Sequence, residues 1–171
     1  MLNADLESVF KLWIVEHGGA VLKVARAYTV SVEECQDLVQ EILLQVWQSL
    51  PQFQGRSSAQ TWFYRVALNT SLNWQRQERR RRVRQQPIFE IEEIGVAAAD
   101  SAQLVSQREV VERLYTAIRQ LPKGDAALVL LYLDDLSYSQ IADVLGISES
   151  NVGVKLNRAK KALGELLKEK P

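Results

Sequence analysis

Arginines and asparagines concentrate between positions 59 and 84. The segment 76–84, RQERRRRVR, holds six arginines against one glutamate, a net charge of +5. On a helix, five side chains of this stretch fall within about 60° of one another: Trp62, Asn69, Asn73, Arg76 and Arg80. An indole can stack on an unpaired base, amides can bond base edges and guanidinium groups can bind phosphate. The stretch therefore predicts contact with splayed or single-stranded nucleic acid; a solvated charge run at a helix end is the alternative.

A second candidate surface lies in the segment 137–163, SYSQIADVLGISESNVGVKLNRAKKAL, which predicts two short helices separated by Gly146. The second helix has an apolar stripe at steps of four, three and four, formed by Val152, Leu156, Ala159 and Leu163. Its other faces carry Ser150, Asn151, Val154, Lys155, Asn157, Arg158 and Lys161. A helix-turn-helix places such a face in the major groove. A helical hairpin with a solvated outer face is the alternative.

The segment 31–47, SVEECQDLVQEILLQVW, predicts a helix with two different faces. One face is a buried stripe of Leu38, Val39, Ile42, Leu43 and Val46. The other carries Glu34, Asp37 and Glu41 beside Leu44. An acidic stripe with an exposed leucine suits a basic protein partner, and a plain solvated face is the alternative.

Helix-forming residues dominate both ends of the chain, and no alternation of apolar and polar residues indicates a strand. Breaks are predicted near Gly18-Gly19, Thr29 to Val32 and Pro51 to Ser58. Capping boxes are predicted at Ser31 with Glu34, Ser57 with Gln60, and Ser137 with Gln140. The fold class is therefore all-α, with two small helical domains, 1–82 and 104–171, joined by a flexible acidic linker, 83–103.

Composition narrows the function classes. The chain has 171 residues, 47% of them apolar, and 21 basic against 21 acidic side chains, so it is not a polybasic coat protein. One cysteine, Cys35, excludes an internal disulfide and a multi-cysteine metal site, and one histidine, His17, excludes a histidine-rich site. We expect no metal and no cofactor. His17 is expected at a partly exposed helix end, and Cys35 to be inert. Since no signal peptide, membrane span or catalytic motif is visible, we expect a cytoplasmic protein without enzymatic activity.

Taken in order, three segments resemble the small extracytoplasmic-function group of bacterial RNA polymerase sigma factors. EECQDLVQEILLQVW resembles the second conserved region. PQFQGRSSAQTWFYRVALNTSLNWQRQERRR resembles the part that melts the promoter and reads its −10 element. LYTAIRQLPKGDAALVLLYLDDLSYSQIADVLGISESNVGVKLNRAKKAL resembles the fourth region, which reads the −35 element. The resemblance covers nearly the whole chain.

This resemblance implies partners for each surface: core RNA polymerase, promoter DNA and an anti-sigma factor. Polymerase contact is implied for Glu34, Asp37, Gln40, Glu41 and Leu44. Contact with the −10 element is implied for Phe53, Trp62, Asn69, Asn73, Arg76, Arg79 and Arg80, with Asn69 at a flipped-base pocket. Contact with the −35 element is implied for the seven exposed residues of the second helix given above. The linker acids Glu90, Glu92, Glu93 and Asp100 are expected to imitate nucleic-acid charge near the RNA exit path.

The chain departs from the family pattern at two places. The family usually reads Thr-Val-Lys/Arg-Ser-Arg where this chain has Asn151-Val152-Gly153-Val154-Lys155. Residues 124–126, Gly-Asp-Ala, replace an arginine-containing stretch. Two rival functions stay open: a stand-alone helix-turn-helix regulator with an N-terminal sensing or dimerising bundle, and a helical protein-interaction adaptor.

Overall fold

The computed structural model describes residues 2–84 and 102–168, with the side chains of 5–81 and 106–168. Within these ranges the chain forms seven α-helices and no strand, which confirms the all-α prediction. The helices are α1 (Leu2–Tyr28), α2 (Val32–Ser49), α3 (Ala59–Arg84), α4 (Ala102–Gln120), α5 (Lys123–Leu133), α6 (Tyr138–Leu145) and α7 (Glu149–Lys168), with a 3₁₀ turn at Leu50–Gln52. Most of the predicted linker, including its four acids, lies outside the described residues, and the domain boundaries stay predictions.

Helices α1, α2 and α3 pack together as the first domain. The predicted stripe of α2 is confirmed, since Leu38, Ile42 and Val46 are fully buried, while Val39 and Leu43 are partly buried against the same core.

The predicted helix break at Gly18-Gly19 is wrong, because α1 continues through both glycines. Two glycines cost a helix about 1 kcal/mol each, and the burial of Val21, Val24 and Ala25 in the following turns outweighs that cost. His17 therefore lies inside a helix and not at its end, with its ring centroid 5.5 Å from that of Phe63.

The cap of α3 is displaced by one residue from the prediction. The Ser58 hydroxyl, and not that of Ser57, accepts a hydrogen bond from the main-chain N–H of Thr61 at 3.1 Å. At α2 the Ser31 hydroxyl caps the main-chain N–H of Glu34 at 3.1 Å as predicted. A complete capping box would have the Glu34 carboxylate accept from the main-chain N–H of Ser31. The carboxylate accepts from the main-chain N–H of Val30, at 3.0 Å.

Helices α4 to α7 form the second domain, which contains the predicted helix-turn-helix in α6 and α7. The capping box of Ser137 and Gln140 is complete, with both reciprocal hydrogen bonds present. Gly146 ends α6 in the left-handed conformation, at φ 67°, which a residue with a Cβ adopts only at a cost. The four residues of the predicted α7 stripe, from Val152 to Leu163, are all buried.

The two domains contact each other, with α1 against α4 and α5, and α3 against α6. Buried residues of both domains form one continuous core cluster. In residues 2–84 and 102–168, no helix combines the length and the apolar character that a membrane span requires.

Candidate nucleic-acid interface

The acidic stripe of α2 lies on the surface of the first domain. Asp37 and Gln40 are exposed, Leu44 is 48% exposed, and Glu34 and Glu41 are partly exposed. Gln45, one turn after Glu41, donates through Nε2 to Glu41 Oε1 at 3.0 Å and so orients that carboxylate. This face therefore presents acidic groups beside one exposed leucine.

A polar recess of about 430 Å³ opens between α2 and α3. Asn69 and Asn73 line it from α3, and Glu41, Gln45 and Ser49 line it from α2. Amides and carboxylates offer donors and acceptors to base edges. The recess therefore brings together the two asparagines that the sequence assigned to base contact.

The same recess shows residues that the sequence analysis missed. Gln45 and Ser49 follow Glu41 at steps of four on α2, so a period count of polar residues on that helix would have found them. Thr70 and Gln77 complete its wall on α3. Glu41, assigned from the sequence to polymerase contact, thus also borders the candidate base site.

Trp62 and Phe53 lie apart from the recess, in a cluster with Trp13. The ring centroids are 5.4 Å apart for Phe53 and Trp62, and 5.6 Å for Trp13 and Trp62. Phe53 and Trp13 meet edge to face at 5.0 Å. Such pairs each stabilise packing by about 0.5–1.5 kcal/mol. The rings of Phe53 and Trp62 therefore support the loop before α3 and still keep partly exposed edges.

The arginines of α3 extend from the recess toward the C-terminal end of the helix. Arg76, Arg79 and Arg80 are exposed. Arg79 lines a different cleft, of about 520 Å³, beside Trp74 and Lys123. Arg76 and Arg80 continue the stripe of Asn69 and Asn73 and give its C-terminal part a positive charge.

The outer face of α7 is open to solvent. Val154 is 72% exposed. Ser150, Asn151, Asn157, Arg158 and Lys161 are exposed, and Lys155 is partly buried. The Ser148 hydroxyl caps α7 by accepting from the N–H of Asn151 at 3.3 Å, and it lies 3.1 Å from the Ser150 hydroxyl. All seven predicted residues therefore lie on α7, six of them exposed.

Two contacts shape this face. Arg158 donates to the Asp125 carboxylate at 3.4 Å; Asp125 is 8% exposed, at the start of α5. The ring of Tyr138 lies against Gly153, with its Cε2 atom 3.6 Å from the position of an added Cβ. Residues 125 and 153 are positions where the sequence departs from the family pattern, and each meets a specific neighbour.

Comparisons with known proteins match each of the two domains. Residues 13–81 match the model of Sigma-70 region 2, and residues 111–163 match that of Sigma-70, region 4. The ECF RNA polymerase sigma factor SigG of Mycobacterium tuberculosis is 32% identical over 156 residues. The ECF RNA polymerase sigma-E factor of Escherichia coli is 27% identical over 168 residues, covering 92% of this chain and 85% of that protein.

The chain belongs to the extracytoplasmic-function sigma factors. It spans 42% of the length of SigG, and 79% of the chain takes part in that match. A solved structure of the sigma factor RpoE of Bartonella quintana, in complex with the anti-sigma factor NepR, shares the fold. Its TM-score is 0.71 at 22% identity, over 95% of this chain and 98% of that one. In this sigma factor, region 2 holds α1 to α3, and region 4 holds the helix-turn-helix.

Proposed function

We propose that this chain directs promoter-specific transcription initiation as a sigma subunit of RNA polymerase. The first domain binds core polymerase and the −10 element, and the second binds the −35 element. The observation that carries this proposal is that one chain presents an amide-lined recess beside an arginine run and also an open helix-turn-helix face. Neither surface holds a catalytic constellation, and binding energy alone accounts for the proposed activity.

The acidic stripe of α2 is the proposed docking surface for polymerase. Asp37, Gln40 and Leu44 are accessible there, and Glu41 is oriented by Gln45. Opposite charges on a basic partner surface would speed encounter and fix orientation. The acids stand at spacings that repel one another within the helix, so a basic partner relieves that repulsion.

The recess beside Asn69 is the proposed site for an unstacked base of the −10 element. Extruding a base costs a few kcal/mol of stacking, and hydrogen bonds from Asn69 and Asn73 would offset part of it. Arg76 and Arg80 would hold phosphates along the same strand, with an affinity that falls as salt rises.

The outer face of α7 is the proposed reader of the −35 element. Small polar side chains such as Ser150 and Asn151 can bond base edges, and Val154 can meet a thymine methyl group. Lys161 and Arg158 would contact phosphates. Helix α6 would cross the DNA backbone, as the first helix does in other helix-turn-helix proteins.

An anti-sigma factor is a further proposed partner, supported by the complex that RpoE forms with NepR. Action on DNA and polymerase implies a cytoplasmic location. A stand-alone regulator would bind duplex DNA tightly without polymerase, and no feature of the described residues favours it over the sigma assignment.

The experiment is binding of the purified chain to sigma-free core polymerase. Reversing two charges, Asp37→Arg with Glu41→Arg, should abolish the complex. The matched control is Glu109→Arg with Glu165→Arg, which makes the same charge change at two exposed positions of the second domain and should bind normally.

Equal binding of both double variants would contradict the assignment of α2 to polymerase contact. No binding by the unaltered chain, together with tight polymerase-independent binding to duplex DNA, would replace the sigma function by that of a stand-alone regulator. Run-off transcription from the reconstituted holoenzyme then tests promoter use directly.

A further inference from the structure

A cleft of about 520 Å³ lies between the end of α1, the start of α2, helix α3 and the second domain. It is distinct from the recess of Asn69 and Asn73, although Trp74 lines both. Ligand sites in proteins are commonly clefts of about 300–1,000 Å³ that carry a few well-placed polar groups. The function proposed above assigns no ligand to this cleft.

Cationic side chains from three different helices line the cleft. They are Arg79 of α3, Arg119 of α4 and Lys123 of α5. The carboxylates of Glu34 and Glu78 also line it, so cations outnumber carboxylates among the described residues. Cations that converge on one space from three helices suit a ligand with several negative charges, such as a chain of phosphates.

Arg119 is oriented by the protein itself. Its Nη1 atom donates to the main-chain carbonyl of Arg26 at 3.2 Å, and its Nη2 atom donates to the Thr116 hydroxyl at 2.9 Å. A guanidinium has more N–H groups than these two bonds use, so donors are left for a phosphate. Lys123 is exposed at the same wall, and its main-chain carbonyl accepts from the hydroxyl of Tyr28 at 3.2 Å. An anion would therefore meet one oriented guanidinium and one accessible ammonium group.

Gln75 adds an unused acceptor to the lining of the cleft. Its Nε2 atom donates to the main-chain carbonyl of Tyr28 at 3.1 Å, which fixes the orientation of the amide. Its Oε1 atom is buried and has no hydrogen-bond partner among the side chains and main chain that the structure describes. A buried carbonyl oxygen without a donor destabilises the folded chain. A ligand with an N–H group at this wall would supply the donor.

Trp74, the neighbour of Gln75, gives the cleft an aromatic surface. Its side chain packs against the core and is only partly buried. Indole rings are stacking partners for nucleobases, whatever the base. Purines combine a large ring for stacking with N–H groups on their edges, so one purine could use both the indole and the unused oxygen of Gln75.

We propose that this cleft binds a purine nucleoside di- or triphosphate. The base stacks on Trp74 and donates a hydrogen bond to Oε1 of Gln75. The phosphates lie between Arg79, Arg119 and Lys123.

Nucleotide binding would bear on the −10 strand through Arg79 and Trp74. Arg79 belongs to the residues assigned to that strand, and Trp74 also lines the recess of Asn69. A nucleotide that occupies Arg79 would compete with the strand for it. This consequence rests on the proposed function, whereas nucleotide binding itself does not.

The test is titration of the full-length chain with adenosine triphosphate and with guanosine triphosphate, measured by isothermal titration calorimetry in buffer without divalent cations. One nucleotide should bind per chain. Lys123→Glu places a negative charge beside the phosphates and should weaken binding about tenfold or more. Lys11→Glu is the matched control, because it makes the same charge change at an exposed residue of α1 that pairs with Glu7 outside the cleft. It should bind both nucleotides as the unaltered chain does.

Gln75→Leu tests the end of the cleft that receives the base. It removes the unused acceptor and should weaken nucleotide binding about tenfold, while binding of inorganic tripolyphosphate stays unchanged. Gln107→Leu, at an exposed position of α4, is the matched control and should leave both unchanged. Tripolyphosphate should bind the unaltered chain more weakly than either nucleotide, because it has no base. Circular dichroism verifies the helical content of each variant.

Absence of binding by both nucleotides would overturn the proposal. Equal weakening by Lys123→Glu and Lys11→Glu would place the nucleotide elsewhere and overturn it too. Normal nucleotide binding by Gln75→Leu, with tripolyphosphate bound as tightly as the nucleotides, would mean that arginines hold phosphate by charge alone. That result would also contradict a nucleotide site.

A second readout is affinity for the single −10 strand. Saturating nucleotide should lower this affinity in the unaltered chain and have much less effect in Lys123→Glu. Unchanged affinity would overturn the competition at Arg79. Core-polymerase binding without nucleotide binding would overturn the site and leave the sigma function intact, and nucleotide binding without core-polymerase binding would do the reverse.

Discussion

The ring of Tyr138 packs against Gly153, at the point of α7 where the family usually carries a lysine or arginine. Its Cε2 atom lies 3.6 Å from the position of a Cβ at residue 153, an ordinary van der Waals separation. A Cβ atom at residue 153 therefore fits without displacing the ring. The fold therefore does not require glycine at residue 153 for steric reasons.

Gly153→Lys should raise both stability and affinity for the −35 element. Removing a helical glycine contributes up to about 1 kcal/mol, and one added cation should steepen the salt dependence of duplex binding by about one phosphate contact. Thermal denaturation and salt titrations of binding measure the two effects. Gly164→Lys, in the same helix but distant from its start, should give the stability without the change in salt slope. Equal DNA effects from both variants would contradict the prediction.

Asn69→Ala should weaken promoter opening and leave polymerase binding unchanged. Loss of one amide contact to a base costs about 1–3 kcal/mol, so binding of the single −10 strand should fall about tenfold. Open-complex formation measured with permanganate gives the readout. Asn157→Ala on α7 is the control, since it should impair −35 duplex binding and spare the −10 strand. An Asn69→Ala variant with normal opening would remove the recess from the mechanism.

Alkaline pH should lower the free energy of unfolding through the buried phenol of Tyr28, which donates to the main-chain carbonyl of Lys123 in the second domain. Burial raises the pKa of the Tyr28 phenol well above its ordinary value near 10, and burial also raises that of Tyr115, partly offset by Arg26. Because the folded chain holds these phenols in the neutral form, their contribution to the free energy of unfolding is complete below pH about 10. It is lost as the pH rises further and the phenols of the unfolded chain ionise. Urea denaturation between pH 8 and about 11.5 should show a steeper loss of stability in the unaltered chain than in Tyr28→Phe. Tyr138→Phe, at a more exposed ring, should retain the steep loss. An identical dependence of stability on pH in all three chains would contradict the assignment of this loss to Tyr28.

The cap of α3 should be sensitive at Ser58 and not at Ser57. Ser58 Oγ satisfies the N–H of Thr61 and also donates to the Thr61 hydroxyl at 2.9 Å. Ser58→Ala should therefore lower the free energy of unfolding by about 1 kcal/mol, measured by urea denaturation. Ser57→Ala should change it by less than half as much. The reverse order would place the helix start at the position that the sequence pattern indicated.

Local patterns predicted most of the helices, because periodicity and capping depend on residues within a few positions of one another. The stripe from Val152 to Leu163 and the Ser137–Gln140 box are confirmed in full. The exposed faces of α2 and α7 follow from the same periodicity, since a helix with one buried side fixes the other. The polymerase, −10 and −35 assignments of individual residues came from the family resemblance and stay predictions.

Only the tertiary structure decided the rest. The sequence favoured a break at Gly18-Gly19, and burial of the flanking turns of α1 outweighed the propensity of two glycines. The recess joins Asn69 to Gln45 and Ser49 because α2 and α3 pack at one particular angle, which no local pattern encodes. The contact of Tyr64 and Lys23 with Asp134 links residues 70 and 111 positions apart. Short-range preferences therefore determined where the helices and their apolar faces lie, while long-range packing determined how the two domains meet.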